Sequence, residues 1–195
     1  CGPRLTVSAA EFVEDVNKDP VLIVDGITKN WRYPGWRISW TIGPADVIKK
    51  IISAGSFLDG GAVHPMQLAT LPLLDPVASD NEARAIQACF SEKRELMVHG
   101  LRRIGLRLEA PKGSFYCWAN VEALPIGWDT GTGFFQKALE AQVITVPGQF
   151  FDINPGQRRP NRPGRLENWM RFSFGPRLET LQLGLDALGQ AMGRS

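Results

Sequence analysis

The stretch "VLIVDGITKNWRYPGWRISWTIGP", from Val21 to Pro44, sets Lys29 and Arg37 eight residues apart between two apolar segments. A lysine in such a place offers a primary amine on a long, flexible stem. If burial holds that amine neutral near pH 7, it becomes a nucleophile toward carbonyl carbons and a group able to take and return protons. Arg37 offers a planar, permanently charged, bidentate fork for an anion. Thr28 adds a hydroxyl beside the lysine. A further arginine, Arg171, stands in "WMRFSFG", where an unpaired buried guanidinium would be costly. It must meet an anion, either a structural carboxylate or a ligand. Taken singly, each residue also has an ordinary reading: Lys29 as a solvated loop side chain, Arg37 as a surface ion-pair partner, Arg171 as the mate of a structural carboxylate.

The elements that must position these groups follow from periodicity and turn chemistry. "VLIVDG" is a continuous apolar run of the kind found in parallel strands covered on both faces. "WRISWTIG" reads as the next strand, and "SAAEFVEDV" as a short helix near the N-terminus. Pro44 opens a helix over "PADVIKKIISAG". "SFLDGGAVHPMQLATLPLLDP" is a helical region broken by Gly60-Gly61, Pro65 and Pro72. The clearest helix is "NEARAIQACFSEKRELMVHGLRRIG", with Ala85, Ile86, Cys89, Phe90, Leu96, Met97 and Leu101 as its core stripe. "LRLEAPKGSFYCWANV" reads as two strands around a Pro-Lys-Gly turn. A helix over "TGTGFFQKALEAQ", short strands at "VITVPG" and "WMRFSFG", and an amphipathic C-terminal helix complete the chain. The basic run in "QFFDINPGQRRPNRPGRLEN" reads as solvated surface. The organisation predicted is α/β: residues 1–43 as the end of a large, mostly parallel-sheet domain, 44–78 as a linking helical region, and 79–195 as a small α/β domain.

Composition narrows the function classes. The 195 residues carry a formal charge of +2, too little to argue for nucleic acid or a membrane surface. No apolar run approaches the ~18 residues a membrane helix needs. Cys1, Cys89 and Cys117 are odd in number and lack CxxC spacing, so they read as reduced thiols of an intracellular, cytoplasmic protein. His64 and His99 are the only histidines, and no cluster suggests a metal.

Four segments together resemble one family. "TKNWRYPGWR" resembles the lysine loop of class I/II aminotransferases, enzymes of the pyridoxal-phosphate fold-type I superfamily. "GSFYCWANV", "VITVPGQFF" and "WMRFSFG" resemble three later segments of that family, in the same order. The resemblance covers nearly the whole chain and implies the following expectations. The cofactor is pyridoxal 5'-phosphate, held covalently by Lys29, which also moves the substrate's α-proton. Arg37 binds its phosphate, Thr28 adds a hydroxyl to that phosphate or to the loop, and Arg171 pairs with the substrate's α-carboxylate. Gly26 departs from the pattern, because many members carry serine three residues before the lysine. The substrates are an amino acid and a 2-oxo acid, and the full-length protein is a homodimer. A lyase or synthase on the same scaffold, or a non-catalytic sensor domain, are the alternatives. The family's glycine-rich phosphate loop, stacking aromatic and pyridine-pairing aspartate find no counterpart here. The chain, opening on Cys1, therefore reads as the C-terminal part of such an enzyme, inactive in isolation. Trp31, Tyr33, Trp36 and Trp40 read as packing residues and Arg32 as structural. Trp31, Trp36 and Phe172 suggest an aromatic-lined cleft.

Overall fold

Hydrogen bonding closes the lysine segment as a hairpin. Strand β1 (Ile23–Gly26) pairs antiparallel with β2 (Ser39–Ile42), in register from Ile23↔Ile42 to Gly26↔Ser39. The computed structural model describes residues 7–153 and 164–194, which fall into two units, Cys1–Ile86 and Gln87–Ser195. The basic run read as solvated surface lies largely outside the described residues. The α/β class holds, and among the described residues β1 pairs antiparallel with β2. Val24 is 73% exposed, so the apolar run is not covered on both faces within this unit. An apolar run reports that burial is needed, but it does not report which strand or layer supplies it.

In the first unit, α1 (Ile27–Asn30) is a single turn following β1, and a 3-10 turn at Pro34–Trp36 leads back to β2. The helix anticipated over "SAAEFVEDV" is only a 3-10 turn, Ala9–Phe12, capped by the Ser8 hydroxyl accepting from the Ala10 N–H. So short a segment recovers too few hydrogen bonds to offset nucleation. Helix α2 (Ala45–Leu58) starts after Pro44, with Asp46 in the positive first turn. Gly60 and Gly61, at φ +70° and +98°, break the chain before α3 (His64–Thr70) and a 3-10 turn at Leu71–Leu74.

Helix α4 (Pro76–Arg103) begins earlier than its periodicity suggests. Asp75 caps it: its carboxylate accepts from the Ala78 N–H at 2.9 Å and its carbonyl from the Ser79 N–H. The Asp-Pro pair at its start is an N-cap followed by N1 proline. Of the stripe read from sequence, Met97 and Leu101 are buried, with Val98 beside them, whereas Ala85 and Cys89 are exposed.

The second unit is built on a three-stranded antiparallel sheet, order β3-β5-β4: β3 (Tyr116–Asn120), β4 (Val146–Pro147) and β5 (Trp169–Ser173). The other strand anticipated in "LRLEAPKGSFYCWANV" is reduced to one bridge, Arg107↔Asn120. Helices α5 (Gly131–Glu140) and α6 (Leu178–Ala191) and the end of α4 bury its inner face. Thr130 caps α5 by accepting from the Gly133 N–H. Period-two alternation sends Cys117, Ala119, Met170 and Phe172 inward to meet Leu101, Phe134, Leu185 and Leu188. Phe134 lies edge-on to both Trp128 and Phe172. Burying such a side chain stabilises the fold by about 1.5–3 kcal/mol. Phe172 is therefore a core residue and lines no cleft, contrary to the reading above: in a strand that places Arg171 on one face, its neighbours must take the other. Gly148 has a geometric reason to be glycine, since a Cβ there would lie 2.5 Å from the Leu166 carbonyl oxygen.

Candidate active site

The loop between β1 and β2 carries Thr28, Lys29 and Arg37 together, and the hairpin register fixes both of its ends. Ile27, fully buried, anchors the first end: its N–H donates to the Ile38 carbonyl, and its carbonyl accepts from the Tyr33 N–H. Lys29 sits in the turn that follows and is exposed, whereas Thr28 is half-buried. Arg37 adopts the left-handed conformation (φ 56°, ψ 38°), and one of its N–H groups donates to the Pro34 carbonyl at 2.7 Å. That bond holds the head of the loop while leaving the rest of the guanidinium fork to face outward.

Gly26 now has a physical explanation. A Cβ there would lie 2.6 Å from the Ile38 carbonyl oxygen and 2.9 Å from Ser39. The close approach of β1 and β2 leaves no room for a side chain at this position. Asp25 is committed to the loop as well. Its carboxylate accepts from the Gly26 N–H at 2.7 Å and from the Asn30 side-chain amide at 3.0 Å.

Around the loop, the aromatic residues pack as anticipated. Trp31 donates its indole N–H to the Leu73 carbonyl at 3.0 Å and meets Trp40 edge-on, and Tyr33 lies against Trp36. Arg32, at φ 60°, is ion-paired with Glu82. These contacts tie the lysine loop to the segment between α3 and α4 and to the first part of α4.

In the second unit, Arg171 stands on the outer face of β5, opposite Trp118 of β3 and Val146 of β4. Its guanidinium carbon lies 4.1 Å from the Tyr116 ring centroid and 4.4 Å from that of Phe151, so two rings clamp it. Trp118 meets Phe151 edge-on and extends this aromatic surface. Among the described residues no carboxylate is ion-paired with Arg171. Tyr116 and Phe151 were legible only as members of "GSFYCW" and "PGQFF"; nothing in their spacing says that they would face one cation from two elements.

The loop carries an exposed amine, an exposed guanidinium and a half-buried hydroxyl, donor types whose chemistry suits a phosphorylated aldehyde. Among the described residues no group of His, Cys, Asp and Glu is arranged to hold a metal ion, and no helix is long and apolar enough to cross a membrane.

A family model for aminotransferases of class I and II matches residues 3–188. LL-diaminopimelate aminotransferase of Moorella thermoacetica is 31% identical over 172 residues, covering 87% of this chain and 40% of the relative. Aspartate/prephenate aminotransferase of Thermus thermophilus is 27% identical over 184 residues, covering 92% of this chain and 43% of the relative. The structure of Thermus thermophilus aspartate aminotransferase with maleate superposes at a TM-score of 0.74, with 26% identity, over 87% of this chain and 41% of the other. The chain thus spans about two fifths of the length of the proteins it matches.

Proposed function

As the chain belongs to the class I and II aminotransferases, we propose that it acts in pyridoxal-phosphate-dependent transfer of an amino group between an amino acid and a 2-oxo acid. The observation that carries this reading is the β1–β2 loop, which holds Thr28, Lys29 and Arg37 between two paired strands within a chain matched by the family from residue 3 to residue 188.

In this reading Lys29 binds pyridoxal 5'-phosphate through its amine, Arg37 and Thr28 hold the phosphate, and Arg171 receives the substrate's α-carboxylate. The cofactor, when bound, supplies an electron sink for charge that develops at the α-carbon. The chain's own groups supply the rest. Lys29 takes the proton from the α-carbon and delivers one at the other end of the transfer, a role that an amine on a long, flexible stem can fill. Lys29 is exposed on the first unit, where its amine is open to a carbonyl compound. Arg171 orients the substrate through a bidentate contact; the Tyr116 and Phe151 rings flank its fork and shield it in part from water, which strengthens that contact. Residues 1–43 then contribute to the cofactor-binding domain and 79–195 form the small domain, joined by 44–78.

The working protein in this reading is a homodimer. Phe57, Leu58, Val63, Leu68, Leu71 and Val77 leave an exposed apolar band along α2, α3 and the start of α4, more than an isolated surface tolerates. The relatives' names include aspartate, prephenate and LL-diaminopimelate, and these amino-group donors and acceptors form the first substrate panel. Incubation of the cofactor-loaded polypeptide with each amino acid tests the reaction. Conversion of the cofactor to pyridoxamine phosphate, reversed by a 2-oxo acid, supports transamination. Release of ammonia and a 2-oxo acid without an acceptor supports lysis instead.

A further inference from the structure

A second group of cations lies on the opposite side of the second unit's sheet from Arg171. Helix α4 presents Arg94, Glu95, Val98, His99 and Arg102 at three- and four-residue spacing, along one face. The segment Ala110-Pro111-Lys112 runs beside that face, and together they line a cleft of about 420 Å³. The guanidiniums are fixed at the cleft by the backbone that borders it: Arg94 donates to the Pro111 carbonyl at 3.5 Å and Arg102 to the Leu108 carbonyl at 3.2 Å. Each such bond uses one of five N–H donors, so most of each fork stays available.

Charge and shape then select the ligand class. Arg94, Arg102 and Lys112 are paired with no carboxylate among the described residues, whereas nearby Arg103 is paired with Asp186. The only carboxylate in the lining is Glu95. Three positive charges against one negative leave two to be met, which is the charge of a phosphate monoester. The remaining wall, Val98, Ala110 and Pro111, is apolar and suits a flat hydrocarbon body attached to that phosphate. A second effect reports the same field. Burial pushes the Cys117 thiol up to about 11, against the opposing pull of Arg102 and Arg94, whose charges thus converge on the sheet beneath the cleft.

We propose that this cleft is a binding site for a small organic phosphate, with Arg94, Arg102 and Lys112 gripping the dianion and Val98 and Pro111 contacting the apolar body. The site uses none of the residues assigned to the cofactor or the α-carboxylate and stands independently of that reading.

Phenyl phosphate is the probe, with inorganic phosphate (charge alone) and phenol (ring alone) as its halves. Calorimetric titration of the intact polypeptide is paired with hydrogen exchange read by mass spectrometry. Phenyl phosphate is expected to bind more tightly than either half and to slow exchange in peptides covering residues 92–112. The double substitution R94Q/R102Q is expected to weaken binding by at least about tenfold. K112Q changes an exposed side chain that no fold contact requires, and it is expected to weaken binding severalfold even if the double variant proves unstable. K49Q, which removes a charge from the first unit, is expected to leave the affinity unchanged. Phenyl phosphate binding that survives both R94Q/R102Q and K112Q would overturn the proposal. So would protection confined to peptides outside 92–112, or the absence of binding at millimolar phenyl phosphate.

Discussion

The two units spend their apolar residues differently. In Gln87–Ser195, three helices close over one face of a sheet, and Leu101, Ile104, Phe134, Met170, Phe174 and Leu188 are almost wholly buried. In Cys1–Ile86, Ile27 and Ile38 are the buried hydrophobics among the described residues, while Val24, Ile52, Phe57 and Leu58 stay exposed. One unit holds its own core; the other presents a two-stranded hairpin and a band of uncovered side chains. The hairpin of the second kind carries the amine. The reactive loop is thus anchored by its own hydrogen bonds on a unit whose other apolar side chains stay uncovered.

This contrast can be broken by mutation. The largest stability effect is expected at Phe134→Ala, which opens a cavity between Trp128, Phe172 and α5; urea unfolding followed by circular dichroism should show a loss of about 3–5 kcal/mol. A loss under 1 kcal/mol would mean that the second unit has no independent core. Arg171→Gln separates the outer face of the same sheet from its inner face. It is expected to leave stability nearly unchanged and to lower kcat/KM for the amino acid by roughly ten- to a hundredfold, the value of a charge-assisted contact of about 1.5–3 kcal/mol. A reversed pattern would make Arg171 a structural residue.

Cys117 sharpens the comparison through pH. Its thiol, ordinarily at 9.0, is raised to about 11 by burial. Between those values the unfolded chain releases the proton and the folded chain keeps it, so folding stability falls as pH rises from 9.0 to about 11 and is unaffected by this group below that window. Exposed Cys89 should accordingly be alkylated by iodoacetamide at pH 8 while Cys117 resists until unfolding. The smallest effect is expected at Phe57→Ser, on a side chain 90% exposed: a change within about 0.5 kcal/mol in the unfolding of the monomeric chain. A larger loss on dilution-sensitive unfolding would show that the band is already covered by a second copy.

How far the fold could be read from sequence follows the same division. Helices α5 and α6 and strand β5 fall where periodicity and caps place them, because each buries its own apolar stripe within the chain; α2 also starts where Pro44 places it, although none of its residues is buried. The start of α4 was missed because Asp75-Pro76 was read as the end of a broken region and not as a cap. Ala85 and Cys89 continue the stripe of α4 without being buried, since a stripe states a demand and not the partner that meets it. The candidate site was legible as residue types and offsets: Thr28, Lys29 and Arg37 in one loop, Arg171 in a late strand. Its supporting contacts were not. The Tyr116 and Phe151 clamp joins positions far apart in the chain, and the exclusion of a side chain at Gly26 depends on how closely β1 approaches β2. Phe172 was misplaced for a simpler reason, the alternation of a strand whose outward residue is Arg171.

The most direct test of the central claim is chemical. The intact polypeptide is loaded with pyridoxal 5'-phosphate, reduced with borohydride, digested, and mapped by mass spectrometry. The account predicts one stably attached pyridoxyl group, on the peptide containing Lys29, absent in Lys29→Ala and weakened in Arg37→Ala. A label distributed over other lysines, or the same yield in Lys29→Ala, would contradict it.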